Sequence, residues 1–248
     1  MRTLLHALVF VGLLAPHICW GAEPTLAGHW KLDDKSGDTV LDSSPAKNHG
    51  KAMAQPGQTL GKVGGAFSFN GKDSYVEIKN SKDLEKIQEG SYTIAAWFKP
   101  EIVPPGTEQS ANDAEFGIVI KTGWHEGLSY NREKKFVMTH WLSDGTEIWH
   151  GIGTWEEEHE PGQWYHLVGT VDRAAGKVAI YLNGELKNSL EFTPNAAPKK
   201  YDKETWKIGI GSPGAKNWSW PAKGSIDDVR IYGRSLGAAD VKALYEGK

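Results

Sequence analysis

The sequence lacks several features that stabilise proteins or direct them to particular partners. It has a single cysteine among 248 residues, so no disulfide can form within the chain. Lysine and arginine number 28 against 31 aspartates and glutamates, and this near balance provides no basic surface for nucleic acid. It also lacks an apolar run of the roughly eighteen residues that a membrane span requires. We therefore expect a domain held by its hydrophobic core, with no nucleic-acid partner and no membrane insertion.

The amino terminus has the pattern of an export signal. Arg2 is the only charged residue in residues 1–21, and most of residues 4–14 are apolar. Cys19 and Gly21 are the small residues expected before a cleavage site. We predict a signal peptide over residues 1–21, an exported domain over residues 22–248, and a secreted, periplasmic or cell-surface location. A lipoprotein signal at Cys19 is the alternative, although the preceding Ile18 is larger than such signals favour.

Helical periodicity is also scarce. Short segments alternate apolar and polar residues, as half-buried strands do, and Asn-Gly or Asp-Gly turns separate some of them. About ten antiparallel strands without alternating helices predict an all-β, two-sheet antiparallel jelly-roll sandwich with a short helix at residues 237–245, capped by Ser235. The predicted strands are residues 28–32, 66–69, 75–78, 92–99, 117–121, 135–141, 147–152, 164–172, 177–182, 206–211 and 224–232.

Several segments, in order, resemble the LamG-like jelly-roll family of the concanavalin A-like superfamily. They include Trp30-Lys31-Leu32-Asp33-Asp34, Gly64-Gly65-Ala66-Phe67-Ser68-Phe69-Asn70-Gly71, Tyr92-Thr93-Ile94-Ala95-Ala96-Trp97, Trp164-Tyr165-His166-Leu167-Val168 and the ending from Ile226 to Leu236. The resemblance implies two curved sheets, a secreted setting, frequent calcium binding, and recognition of glycans or proteins. It does not imply catalysis. Residues 104–161 depart from it, being longer and richer in Trp and His.

Acidic residues near both ends of the domain form a candidate calcium site. Because first and last strands meet in an open sandwich, their carboxylates can supply some of the six to eight oxygens that Ca²⁺ takes. Strand alternation places Ile226, residue 228 and Arg230 on one face and residue 227 with Val229 and Ile231 on the other. The alternative is an ion pair with Arg230 or a capped turn. The predicted ligands of a structural Ca²⁺ are Asp33, Asp34, Asp42, Asp227 and Asp228.

Aromatic and histidine residues in the middle of the chain form a candidate ligand surface. Exposed aromatic rings stack on the C–H faces of sugars, while imidazoles can orient hydroxyls. The alternative is that the large rings pack between the sheets, as we expect for Trp97 and Trp164. The predicted ligand contacts are Trp124, His125, His140, Trp149, His150 and Trp155.

Catalytic patterns are missing. The sandwich glycanases carry acidic residues in a Glu-x-Asp-x-x-Glu strand, which places two carboxyls across the scissile bond. Here the acids of residues 156–160 are nearly consecutive and precede Pro161-Gly162, which indicates a solvated loop. We predict a non-enzymatic module that binds a glycan. An adhesive domain for an extracellular protein is the alternative, and a polysaccharide-active enzyme is the third possibility.

Overall fold

The computed structural model describes residues 26–34, 37–105, 114–121, 126–142, 152–199, 204–213 and 219–248. Sixteen strands and two helices form within these residues. The strands are β1 (Leu26–Trp30), β2 (Thr39–Val40), β3 (Gly50–Met53), β4 (Gly57–Leu60), β5 (Gly65–Asn70), β6 (Tyr75–Ile78), β7 (Tyr92–Pro100), β8 (Glu115–Lys121), β9 (Glu126–Asn131), β10 (Phe136–Thr139), β11 (Ile152–Gly153), β12 (Tyr165–Asp172), β13 (Lys177–Leu182), β14 (Glu185–Glu191), β15 (Trp206–Ile208) and β16 (Lys223–Tyr232). The helices are α1 (Lys82–Glu89) and α2 (Ala238–Tyr245).

The strands form two eight-stranded sheets. Sheet A has the order β14-β13-β12-β7-β16-β5-β4, with β1 also paired to β16, and sheet B has the order β11-β10-β9-β8-β15-β6-β3-β2. All of these pairings are antiparallel. The predicted two-sheet sandwich with a short C-terminal helix is confirmed. The predicted signal peptide lies outside the described residues, among which no helix is long and apolar enough to cross a membrane.

Apolar residues lie on both faces of the central strands of sheet A. Ile94, Ala96 and Phe98 of β7 point into the main core between the sheets. Ala95, on the opposite face, belongs to a second cluster that includes Val241 of α2. The short C-terminal helix therefore packs on the outer face of sheet A, which is the face directed away from sheet B.

The first and last strands lie side by side, as the sequence predicts. In the β1–β16 pairing, His29 lies opposite Arg230 and Trp30 opposite Val229. Trp30 is fully buried, and its Nε1 donates a hydrogen bond to the Asn48 carbonyl at 2.9 Å. The two ends of the domain are thus joined through both backbone and core.

A bulge in β16 overturns the predicted faces of the acidic pair. The register with β7 shifts between Asp227 and Arg230, and Asp228 adopts a φ of 48°. As a result, Val229 shares the main core with Ile226 and Ile231. Simple alternation does not hold because the bulge inserts one extra residue into the strand.

The C-terminal helix was predicted correctly, whereas its cap and helix α1 were not. Helix α1 was missed because its buried residues, Leu84 and Ile87, form only one short apolar repeat. Its N-cap is Ser81, whose side chain accepts a hydrogen bond from the Leu84 amide at 3.2 Å. At the start of α2 the cap is Gly237 without a side-chain hydrogen bond, so the predicted Ser235 cap was wrong.

A buried carboxylate organises the loop that follows β1. Asp42 Oδ1 accepts hydrogen bonds from the amides of His29 and Ser44, both at 2.8 Å. Its Oδ2 accepts from the Ser44 hydroxyl at 2.8 Å and the Asn48 amide at 2.6 Å. Only 1 % of Asp42 is exposed. If the carboxylate were removed, water could not reach these donors to accept their hydrogen bonds.

We predict that Asp42→Ala lowers the free energy of unfolding by about 3 kcal/mol, because buried amides would lose their acceptor. Urea denaturation at neutral pH measures this. Asp34→Ala is the matched control, since Asp34 accepts one exposed backbone hydrogen bond from Leu41, and it should change stability by less than about 0.5 kcal/mol. Equal stability of the two variants would contradict the role of Asp42.

Candidate functional site

Only one of the six predicted ligand contacts reaches the surface in the described part of the chain. Trp124, His125, Trp149 and His150 lie outside the described residues. His140 is fully buried, so its side chain cannot touch a ligand on the surface. Trp155 is 44 % exposed.

Buried polar partners hold His140 between the sheets. Its Nδ1 lies 2.8 Å from Glu126 Oε1 and 3.1 Å from the Tyr92 hydroxyl, which also donates to Glu126. Trp155 instead lies over β11, because a Cβ on Gly153 would fall 2.6 Å from its ring. The two residues therefore belong to different environments.

The five predicted calcium ligands are engaged as hydrogen-bond acceptors. Besides Asp34 and Asp42, Asp33 accepts a hydrogen bond from the Gly65 amide at 2.6 Å. Asp228 pairs with His29 at 2.5 Å and with Arg230 at 3.1 Å, which is the alternative left open by the sequence.

No group of three His, Cys, Asp or Glu side chains suited to a metal occurs in the described ranges. A cation would have to displace amide donors or a guanidinium, and the calcium site stays a prediction.

Asp227 anchors the loop between β4 and β5. It is fully buried, and its Oδ2 accepts hydrogen bonds from the amides of Lys62 and Val63 at 2.7 and 2.8 Å. Its Oδ1 has no hydrogen-bond partner. Burial raises the pKa of Asp227 to about 7, against the lowering effect of the two amide hydrogen bonds. The carboxyl thus holds Lys62 and Val63 beside the outer face of sheet A.

A groove lies where this loop, the terminal strands and α2 meet. We name it the terminal groove; its volume is about 630 Å³. The Trp97 ring lies in its wall, with the Lys62 ammonium 5.0 Å from the ring centroid. Its lining residues are Leu26, Ser43, Ser44, Pro45, Lys62, Val63, Trp97, Asp228, Arg230, Leu244, Tyr245, Glu246, Gly247 and Lys248.

A second groove lies on the other side of Tyr245. We name it the polar groove; its volume is about 530 Å³. Amide and carboxylate side chains dominate it, and Lys187 Nζ lies 3.2 Å from Glu157 and 3.4 Å from Glu185. Its lining residues are Glu157, Glu158, His159, Glu160, Gln163, Tyr165, Leu182, Asn183, Glu185, Lys187 and Tyr245.

Tyr245 is the ridge between the two grooves, because its ring lines both of them. The side chain is 39 % exposed. Its ring centroid lies 5.7 Å from that of Trp97 and 6.0 Å from that of His166. Burial lowers the pKa of His166 to about 4, so this neighbouring ring is neutral at physiological pH. The arrangement presents one supported aromatic face flanked by the terminal groove and the polar groove.

Sequence reasoning missed this site for identifiable reasons. Tyr245 was predicted to lie on the C-terminal helix, but nothing in the sequence indicates that the helix packs on sheet A. Trp97 was predicted to lie between the sheets, whereas it pairs with Asp227 and His166 on the outer face. The alternation of β7 does distinguish Trp97 from Phe98, which lies in the main core.

A family comparison agrees with the observed fold. A laminin G family model of the concanavalin A-like lectin/glucanases superfamily matches residues 70–242. No curated protein sequence matches the chain.

Solved structures with a similar fold are binding domains and an enzyme-associated domain. The binding domain of paraclostridial mosquitocidal protein 1 has a TM-score of 0.68 at 16 % identity, covering 92 % of this chain and 53 % of that one. Domain 4 of the Geobacillus stearothermophilus extracellular arabinanase AbnA, in complex with arabinotriose, has a TM-score of 0.60 at 21 % identity, covering 89 % of this chain and 98 % of that one. The botulinum neurotoxin DC binding domain in complex with rat synaptotagmin II has a TM-score of 0.63 at 12 % identity, covering 92 % and 52 %.

These likenesses concern the fold alone. The chain spans about half the length of the toxin binding domains that it matches. It is therefore similar to one part of those domains.

We predict that Asp227 makes stability fall as pH rises. Its folded-state pKa of about 7 lies above its ordinary value of 3.8, so the folded protein retains a proton that the unfolded chain has released. The stabilisation from this proton is present below about pH 4 and is lost as pH rises towards and through 7. Urea titrations of wild type and Asp227→Asn between pH 4 and 8 isolate this contribution from that of the histidines.

From pH 4 to pH 8, the free energy of unfolding of the wild type should fall relative to that of Asp227→Asn. Parallel pH profiles of the two proteins would contradict the raised pKa.

Proposed function

Because the chain belongs to the concanavalin A-like lectin/glucanases superfamily, we propose that it is an exported, non-catalytic module that binds an oligosaccharide across Tyr245. The observation that carries the proposal is the half-exposed Tyr245 ring between two grooves. Export is part of the proposal because residues 1–21 have the pattern of a signal peptide.

The surface around Tyr245 offers the two kinds of contact that a sugar needs. The aromatic face can stack on the apolar C–H face of one sugar ring, while neighbouring units extend into the grooves on either side. Asn183 and Gln163 line the polar groove, and their amides can exchange hydrogen bonds with hydroxyls. An apolar platform with a few placed polar groups is the usual composition of a ligand site.

Tyr245 is supported before any ligand binds. It packs near Trp97 and His166, and its ring also lies against the turn at Gly184, where an added Cβ would be 3.1 Å from the ring. Gly184 follows Asn183 in a two-residue hairpin, and both have positive φ, 83° and 51° respectively. A ring already fixed in position loses less conformational entropy when a ligand binds.

The carboxylates of the polar groove favour binding over hydrolysis. Glu157 and Glu185 share the ammonium of Lys187, but their side chains are 57 % and 77 % exposed. A glycosidase general acid sits in an environment that excludes water and favours its protonated form. Neither residue has such surroundings, which supports the non-enzymatic interpretation.

We predict that Tyr245→Ala weakens oligosaccharide binding at least tenfold, a loss of about 1.4 kcal/mol, because the stacking face is removed. A glycan array selects the probe, and isothermal titration calorimetry then measures affinity. Tyr245→Phe keeps the ring and should bind within about twofold of wild type, a difference of about 0.4 kcal/mol.

Trp155→Ala is the second control, since Trp155 lines neither groove. If this variant loses binding and Tyr245→Ala does not, the glycan site lies elsewhere. If folded wild-type protein binds no glycan, the proposed function is wrong, and capture of a protein partner would then favour the adhesive alternative.

A further inference from the structure

We propose that the terminal groove is an anion subsite, so the preferred oligosaccharide carries a carboxylate or sulfate that Lys62 binds. This inference rests on the proposed function and specifies the class of saccharide. Three features of the groove support it: the position of Lys62, its lack of an acidic partner, and the opposite charge of the neighbouring groove.

The main chain of Lys62 is fixed at the edge of the groove. Its amide donates a hydrogen bond to the buried Asp227 carboxyl at 2.7 Å, and the next amide, of Val63, donates to the same oxygen. The side chain then reaches over the Trp97 ring, which lies 5.0 Å from Nζ. An indole face favours a cation without neutralising it. The ammonium is thereby presented to the groove with its charge available.

Lys62 has no acidic partner among the described residues. The two acidic side chains that line the terminal groove each already have a cation. Asp228 pairs with His29 and Arg230, and Glu246 pairs with Lys248 at 2.5 Å. Among the described charged side chains that line the groove, Lys62 is consequently the one without a counter-charge, in contrast to Lys187, which is matched by two glutamates.

The polar groove has the opposite balance, and this sets the direction of a bound chain. Four glutamates line it and two ammonium groups pair with them, which leaves the groove negative: Lys187 pairs with Glu157 and Glu185, and Lys134 pairs with Glu158 and Glu160. A carboxylate or sulfate on the ligand would be repelled there and attracted to Lys62. An acidic saccharide that crosses Tyr245 should therefore place its anionic unit in the terminal groove and neutral units in the polar groove.

Ammonium recognition suits both candidate anions. Lysine acts as a compact point charge with three donors, so it can pair with a carboxylate or a sulfate without requiring one planar geometry. Because part of this attraction acts across solvent, added salt should weaken it.

Matched oligosaccharide pairs test the inference. One set contains uronic-acid oligosaccharides and their carboxyl-reduced counterparts, and the other contains sulfated oligosaccharides and their desulfated counterparts. Calorimetry on wild type, Lys62→Gln, Tyr245→Ala and the control Lys72→Gln measures each affinity. Lys72 is an exposed lysine in the turn after β5 and lines neither groove.

Wild type should bind the acidic member of at least one pair about tenfold tighter than its neutral counterpart, and the two sets identify which anion is preferred. Lys62→Gln should abolish that preference and remove most of the salt dependence, and it should weaken binding of the neutral member far less than binding of the acidic member. Tyr245→Ala should weaken both members, and Lys72→Gln neither.

Equal affinity of wild type for acidic and neutral members would overturn the anion subsite while leaving the proposed function in place. The same conclusion would follow if Lys62→Gln kept the acidic preference. Absence of binding to every saccharide would overturn both proposals.

Discussion

Pairing of the first strand with the last is the interaction on which the rest of the structure depends. Because β1 runs beside β16, Trp30 enters the main core and the following loop folds around the buried Asp42 carboxylate. The same junction brings His29 to Asp228 and Arg230. The terminal groove exists because these segments converge on the outside of sheet A, where α2 closes one side.

The bulge in β16 determines the shape of the surface at this junction. A regular strand would have given adjacent aspartates opposite faces. The register shift instead leaves Asp227 opposite Trp97, where it accepts hydrogen bonds from two backbone amides of the β4–β5 loop. Asp228 lines the terminal groove. Burying a carboxyl with one unpaired oxygen is unfavourable. The two amide hydrogen bonds that Asp227 accepts in return fix the β4–β5 loop, and this loop presents Lys62 to the groove.

Strand periodicity and turn residues were sufficient to predict the architecture, but the binding surface depends on features that periodicity does not describe. The Asn183-Gly184 pair correctly indicated a hairpin. The alternation of β7 was not used in the same way, and Trp97 was wrongly assigned to the core between the sheets. Strand β4 was missed because all its residues are exposed, so it has no apolar alternation. The role of Tyr245 could not be predicted, since it depends on where an eight-residue helix packs. The bulge at Asp228 likewise depends on tertiary pairing.

The central claim is that one oligosaccharide lies across Tyr245 and occupies both grooves. Amide chemical-shift mapping by NMR, during titration with the tightest-binding oligosaccharide, tests it most directly. The account predicts that the largest shifts occur at Lys62 and Val63, at Asn183 and Gly184, and at Tyr245. Shifts confined to the region of Gly153 and Trp155, with these residues unaffected, would contradict it.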